Sequence, residues 1–442
     1  MKTQYDVVIV GAGVAGCVMA RDLAREGFSV AVIEKSNRES MGHDWWDTVE
    51  ARVFDELDIP APPPEEIKGA FNFLLFSPMS CVNIMARMPS SHLNLDRKSL
   101  AKRLIALAEA AGAEMFFETT ALEPIVNDGV VAGAKYSQDG SNGTVVANIT
   151  ADASGIDGVL RRHLPETYGF KNKLEKNETI IAYREIREDL TGGKGRSILV
   201  LGKYDGVQWV SRDTPGLADV NVCILASYPD GDPRKILEEI VAEEGGIGDK
   251  AVRGGKGGRI PLRNAFDSFV APGFVLIGDS ASMPNPLNGS GITSGMRAAH
   301  CAAKAALAAL AQGRNDIASL WSYNVDYKTT QDYRFVQLYV LQKYIFAEER
   351  IYLDKIMKSD AFDIDWDMEY KLSPKHNLKK LPGFIKMLRY PGFFGRLAKT
   401  LYLSNAVGKH FRKYPKEYDR EKFERWCARL EKLMRKIPLN QG

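Results

Sequence analysis

The pattern of apolar and polar positions divides the chain into stretches with different periods. Val7 to Val10 form an unbroken apolar run, which predicts a strand buried on both faces of a parallel sheet. A glycine turn, a helix and a second apolar run, Val30 to Ile33, follow. A helix is expected from roughly Val49 to Leu57, then a break at Pro60 to Pro64 and an aromatic strand at Phe71 to Phe76. Leu100, Leu104 and Leu107 share one face of a helix that Leu95-Asp96-Arg97 opens and that runs through Ala111, with Gly112 as its C-cap. Thr120 to Val126, Val130 to Tyr136 and Thr144 to Thr150, separated by turn clusters, predict an antiparallel meander.

Residues 171 to 258 alternate strand patterns with turns around one helix, about Pro233 to Glu243, and read as a second, sheet-based domain. Gly254 to Gly258 has neither the strand before it nor the helix after it that a phosphate loop requires, and is expected to be a flexible connection. A strand at Gly273 to Ile277 then leads through a proline-punctuated loop into an alanine-rich helix ending near Ala311. An aromatic helix, Trp321 to Met357, and a basic helix, about Tyr418 to Lys436, are expected beyond it.

Composition changes this picture little. Of the 442 residues 45% are apolar and 26% charged, as in ordinary globular proteins, and the length suggests two or three packed units. No apolar run reaches the ~18 residues of a membrane-spanning helix. Lys2 before an apolar run imitates an export signal, but the turn glycines and second strand favour a folded unit, so none is expected. Cys17, Cys81, Cys223, Cys301 and Cys427 are scattered without a C-x-x-C, which argues against a zinc or iron–sulfur site and for a reducing, cytoplasmic setting. The net charge of +3 hides an asymmetry: from Ser373 onward the chain carries +13, and the remainder is acidic.

The candidate chemistry begins at Gly11. Gly11-Ala12-Gly13-Val14-Ala15-Gly16 fits G-x-G-x-x-G between a strand and a helix. The first glycine permits the tight turn, the second lets backbone approach a pyrophosphate, and the third lets helix pack on strand. Glu34, 23 residues after Gly11, stands where a carboxylate accepts hydrogen bonds from adenosine ribose hydroxyls and repels a 2′-phosphate. The stretch therefore binds a dinucleotide, with NAD and FAD both open at this point. A second signal is Gly278-Asp279 at the end of the late strand, followed by Gly289-Ser290-Gly291-Ile292 at a helix start. An aspartate there can accept hydrogen bonds from a polyol, and bare N–H groups can stabilise negative charge on a reduced ring system. Ala151-Asp152-Ala153-Ser154-Gly155 reads as a further phosphate-proximal turn, and His43, Asp44 and Trp46, in a Trp-Trp loop, are candidates for the pocket wall and for moving a proton.

Taken together these motifs resemble the FAD-dependent oxidoreductases of the aromatic-hydroxylase type, and within them the geranylgeranyl reductase family. The resemblance covers roughly residues 5 to 325. It implies an α/β fold: a Rossmann-type FAD-binding domain (1–65, 91–170 and 259–325), an antiparallel-sheet substrate domain (66–90 and 171–258) and a helical basic C-terminal region (326–442). It further implies that Gly11, Gly13, Ala15, Gly16, Glu34 and Lys35 hold the ADP half of FAD, with Arg97 and Asp152 near the phosphates. Gly278 and Asp279 would meet the ribityl–pyrophosphate region, and Gly289, Gly291 and Ile292 the isoalloxazine edge. His43, Asp44 and Trp46 are then the catalytic candidates, and no metal is expected. Where the family carries a Cys-Gly pair followed by an acidic residue, this chain has His43-Asp44-Trp45-Trp46.

The implied reaction is reduction of carbon–carbon double bonds in a long apolar, polyprenyl-type lipid. Electrons would come from NAD(P)H or a ferredoxin-like donor. The basic, aromatic C-terminal region suits contact with an anionic membrane surface, which implies a cytoplasmic protein at the inner face of the membrane. A flavin monooxygenase or halogenase on the same scaffold is the main rival, and a flavin dehydrogenase or electron-transfer partner is another. Nucleic-acid binding is not expected, because the basic tail carries no recognised motif and the body is acidic.

Overall fold

The computed structural model describes residues 1–77, 83–88, 90–229, 231–348, 350–359, 382, 385–386 and 388–438. Its first sheet grows around strand Gln4–Val10, whose residues 7 to 10 are all buried. That strand pairs in parallel with Val30–Ile33 on one side and Ser141–Asp152 on the other. Glu114–Phe116 and Phe274–Leu276 extend the parallel sheet outward. The meander is present as Thr119–Asn127, Val130–Gln138 and the first half of Ser141–Asp152, whose second half enters the parallel sheet. One strand thus belongs to two pairings, which is why the chain returns to the cofactor side at residue 152.

Seven strands make the second sheet, in the order Ile247–Pro261, Thr179–Asp189, Leu217–Leu225, Gly206–Ser211, Ile198–Leu201, Asn72–Phe76, Asn83–Arg87. One face packs on helix Pro233–Glu244 through Val220, Val222, Ile236, Leu237 and Ile240. The opposite face looks toward the first sheet. A small three-stranded sheet, in which Trp46–Glu50 pairs with His92–Asp96 and the latter with Ile67–Lys68, joins the two.

Three expected elements are corrected. The glycine run 254–258 is not a flexible connection but the middle of edge strand Ile247–Pro261, paired with Thr179–Asp189. Glycine is required there: a Cβ on Gly254 would lie 2.7 Å from the Arg184 carbonyl oxygen, and one on Gly257 2.8 Å from that of Ala182. The helix expected from Val49 to Leu57 is a strand, Trp46–Glu50, followed by a single helical turn, Arg52–Glu56. The long aromatic helix is divided into Ile317–Tyr327, a π-helical turn Lys328–Asp332, Tyr333–Ala347 and Arg350–Ser359. The π turn buries Lys328 and Asp332 as an ion pair of 2.7 Å, and π turns commonly mark functional positions.

The C-terminal helices are not a detached appendage. Leu320, Trp321, Tyr323, Val336, Val407, Phe411 and Trp426 belong to the same core as the first sheet. Of the basic, aromatic stretch from Lys375 to Phe394, residues 375–381, 383–384 and 387 lie outside the described residues.

Candidate active site

At the adenosine end, Gly11 turns the chain at φ +106°, and a Cβ on it would sit 2.4 Å from the Ala153 carbonyl oxygen. Helix Val14–Arg25 starts at Gly13 with no side-chain cap, so its first N–H groups are left for a ligand. Nothing lies within 4 Å of where a Gly13 Cβ would be, whereas a Gly16 Cβ would fall 1.9 Å from the Gly11 carbonyl oxygen. The open and the closed glycine match a pyrophosphate approach and a helix–strand contact respectively. Glu34 is buried and accepts from Ala12 N at 2.9 Å and Ser36 N at 2.8 Å, which fixes its carboxylate at the cavity wall. Ala15 lines the cavity too, and its small side chain sits beside Gly278, whose Cβ would lie 3.4 Å from that of Ala15. Lys35 is at the rim, mostly exposed, 3.7 Å from Asp157.

At the other end, strand Phe274–Leu276 delivers Gly278 at φ +70° and Asp279 into the cavity. Burial, partly offset by Arg97, pushes the Asp279 carboxyl up to about 6. The loop beyond it is fixed by its own asparagines, since Asn285 Oδ1 accepts from Leu287 N at 2.8 Å and Asn288 Oδ1 from Ser290 N at 3.0 Å. Helix Ile292–Leu310 then begins at Gly291, again with no side-chain cap, and Gly289, Gly291 and Ile292 line the cavity. Buried Gln342, from the C-terminal helices, donates to Pro286 O at 2.8 Å and Leu262 O at 3.1 Å, tying down this loop from behind.

Between these ends the 43–47 loop meets the second sheet. His43 stacks on Trp45 with ring centroids 4.4 Å apart. Burial, with the Arg97 charge beside it, lowers its pKa to about 4, so at neutral pH the imidazole is uncharged. Asp47, overlooked in the sequence reading, is the hub: its Oδ2 accepts from Arg97 Nη1 at 2.8 Å and Trp45 Nε1 at 3.2 Å, and its Oδ1 from Arg184 Nη1 at 2.9 Å. Arg184, on strand Thr179–Asp189, also pairs with buried Asp219 and lies over Trp45 and Trp209 at 5.7 and 5.2 Å.

Two expected site residues are placed elsewhere. Asp44 does not line the cavity; it pairs with Arg253 at 3.0 Å and Lys98 at 3.6 Å. Asp152 is fully buried below its own turn, accepting from Ser154 N, Leu160 N and Arg161 N at 2.8–3.0 Å, so it shapes the turn and faces no ligand. Trp46 is buried in the wall beneath Arg253, 5.3 Å from that guanidinium.

A single cavity of about 730 Å³ joins both ends and continues over the second sheet. Strand register divides that sheet face by polarity. Ile180, Ala182, Cys223, Val207 and Ile260 make an apolar half; Arg184, Asn221 and Ser211, with Trp209 among them, make a polar half two or four residues further along the same strands. Among the described residues no group of three or more His, Cys, Asp or Glu side chains is placed to hold a metal ion.

Residues 6–48 match the family described as FAD dependent oxidoreductase. The chain is an FAD-dependent oxidoreductase. The uncapped helix start, the Gly13 opening and the fixed Glu34 carboxylate fit the ADP portion of that cofactor, and the second uncapped helix start fits its ring end. This flavoenzyme is geranylgeranyl reductase-like: it is 26% identical over 391 residues to the digeranylgeranylglycerophospholipid reductase of Sulfolobus acidocaldarius, spanning 85% of this chain and 83% of that one. The enzyme of the same name from Methanocella arvoryzae is 28% identical over 307 residues, 67% of this chain and 76% of the relative. Among solved structures, a geranylgeranyl bacteriochlorophyll reductase-like protein from Thermoplasma acidophilum has the same fold, with a TM-score of 0.75 and 21% identity across 90% of this chain and 99% of that one. A flavin-dependent brominase shares the fold more distantly, at a TM-score of 0.60 and 18% identity over 93% of this chain and 100% of that one.

Proposed function

We propose that the enzyme reduces carbon–carbon double bonds of a long apolar, polyprenyl-type lipid. The observation that carries this reading is the continuity of one cavity from the uncapped start of helix Ile292–Leu310 to the apolar half of the second sheet. FAD, when bound, supplies the hydride. The chain's own residues do the rest. Of the four N–H groups expected at Gly289 to Ile292, that of Gly289 goes to Asn285 O at 2.8 Å and that of Ser290 to Asn288 Oδ1 at 3.0 Å, so Gly291 and Ile292 present theirs at the helix start, and the apolar half of the sheet holds an alkene chain and excludes water. The names of the curated relatives support a prenyl-lipid substrate.

His43 is a weak candidate for delivering the proton, because its imidazole is neutral down to about pH 4. Asp279 retains a partly protonated carboxyl closer to neutrality. We further infer electron delivery by NAD(P)H or a ferredoxin-like protein, and contact with an anionic lipid surface through the basic C-terminal residues. No helix among the described residues is long and apolar enough to cross a membrane, so attachment would be peripheral.

The test is anaerobic incubation of chemically reduced holoenzyme with candidate prenyl lipids, followed by mass spectrometry. A gain of two hydrogens per turnover supports the reading. Oxygen consumption stoichiometric with product replaces it with a monooxygenase. Sedimentation with vesicles containing anionic lipid, abolished by salt, checks the surface contact.

A further inference from the structure

The reaction as proposed leaves one group in the cavity wall without a role. Asp47 lies on strand Trp46–Glu50, whose Glu50 N donates to Thr293 Oγ1 at 3.2 Å, in the first turn of the helix that starts at Gly291. The strand is therefore fastened directly to the ring end of the cofactor site. Asp47 itself bridges Arg97, whose charge acts on both Asp279 and His43, and Arg184, which belongs to the substrate sheet. About a third of its side chain (31%) faces the open cavity. Burial alone would raise the carboxyl, but Arg184 and Arg97 outweigh it and hold Asp47 ionised.

Asp44 offers an internal comparison three residues away. It too receives an arginine of the second sheet, Arg253, which is shared with Asp96 and lies over Trp46. The loop is thus a double clasp: Asp47 and Trp45 take Arg184, and Asp44 and Trp46 take Arg253. Asp47 and Arg184 both line the cavity, whereas of the second clasp only Trp46 does and the Asp44–Arg253 pair lies outside it.

We propose that Asp47 is a positioning residue which, by neutralising Arg97 and Arg184 together, aligns the cofactor end with the substrate sheet and limits the positive charge that bound FAD meets. This rests on the reductase reading for its effect on turnover but not for its effect on the cofactor. Removing the carboxylate charge takes the Asp47 ion pair from Arg97 and leaves Arg184 with Asp219 alone, so the cavity wall gains one net positive charge. The reduced cofactor, which carries the added electrons, is then stabilised and becomes a poorer hydride donor.

The experiment is a reduction-potential titration of Asp47→Asn, Asp47→Glu and Asp44→Asn holoenzymes, with half-reactions followed by flavin absorbance. For Asp47→Asn the expected results are a higher potential, faster reduction by dithionite and a slowing of lipid reduction on the order of tenfold. Asp47→Glu should return the potential toward wild type, and Asp44→Asn should leave it in place. A wild-type potential in Asp47→Asn overturns the proposal, even if its melting temperature falls, because a purely structural role moves only the latter. An equal shift in Asp44→Asn overturns it as well. If wild-type enzyme reduces no prenyl lipid, the reductase reading fails while the potential shift is still read.

Discussion

The two ends of the cavity are built by opposite means. At the adenosine end Gly11, Gly13, Gly16 and Glu34 lie within 24 consecutive residues, and each role follows from backbone geometry. At the junction with the second sheet, Asp47 meets a partner 137 residues away and Asp44 one 209 residues away. The local site rests on a few glycines and one carboxylate, Glu34, all close together in the chain. The assembled junction depends on the 43–47 loop and the second sheet arriving in register.

That contrast is broken most directly at Arg184. Its replacement by alanine strands Asp219, which is 4% exposed, and weakens the hold on Asp47. A loss of about 3–5 kcal/mol is expected, read by chemical denaturation, with the second sheet affected before the first. At the local end, Gly16→Val forces atoms into the Gly11 carbonyl and should cost about 1–3 kcal/mol, with most FAD lost on purification, read from the flavin-to-protein absorbance ratio. Gln342→Ala removes two buried hydrogen bonds, one to Pro286 in the ring-end loop and one to Leu262 after the edge strand, and should cost about 1–2 kcal/mol while loosening FAD at a site 50 residues from its nearest motif.

The pH dependence sharpens the junction further. His43 titrates near ~6.5 when unfolded and at about 4 when folded. The folded state therefore binds fewer protons between those values, and the His43 contribution is fully present above ~6.5 and lost as pH falls toward about 4. His43→Gln should flatten stability against pH across that window, measured by thermal melts. Lys35→Ala, at the exposed rim, is expected to change stability by no more than ~0.5 kcal/mol and FAD affinity only slightly.

The same contrast decides what could be read from the residues alone. The parallel strands, the meander, the glycine turn and the helix start at Gly291 all carry short-range signals, and the sequence reading placed them. Asp47 carried none, because a carboxylate between a tryptophan and a threonine looks like any loop residue until Arg184 is folded onto it. Asp44 and Asp152 drew attention through their neighbours, yet their oxygens are spent on Arg253 and on the backbone of a turn. The glycine run at 254–258 reads as a connection because it lacks the strand before and the helix after that a phosphate loop requires. Only the closeness of the Arg184 and Ala182 carbonyls explains it.

The hold of Gln342 on the loop before Gly289 also bears on how the protein is made. The first glycine turn is synthesised before the ring-end loop, and that loop receives its support from a helix about three hundred residues after the turn. The glycine turn itself rests on strand Ser141–Asp152 and on the Ala153 carbonyl, so it too is completed by residues more than a hundred positions later. The last support of the ring-end loop therefore comes from helix Tyr333–Ala347, so this part of the site is completed only once that helix has been made.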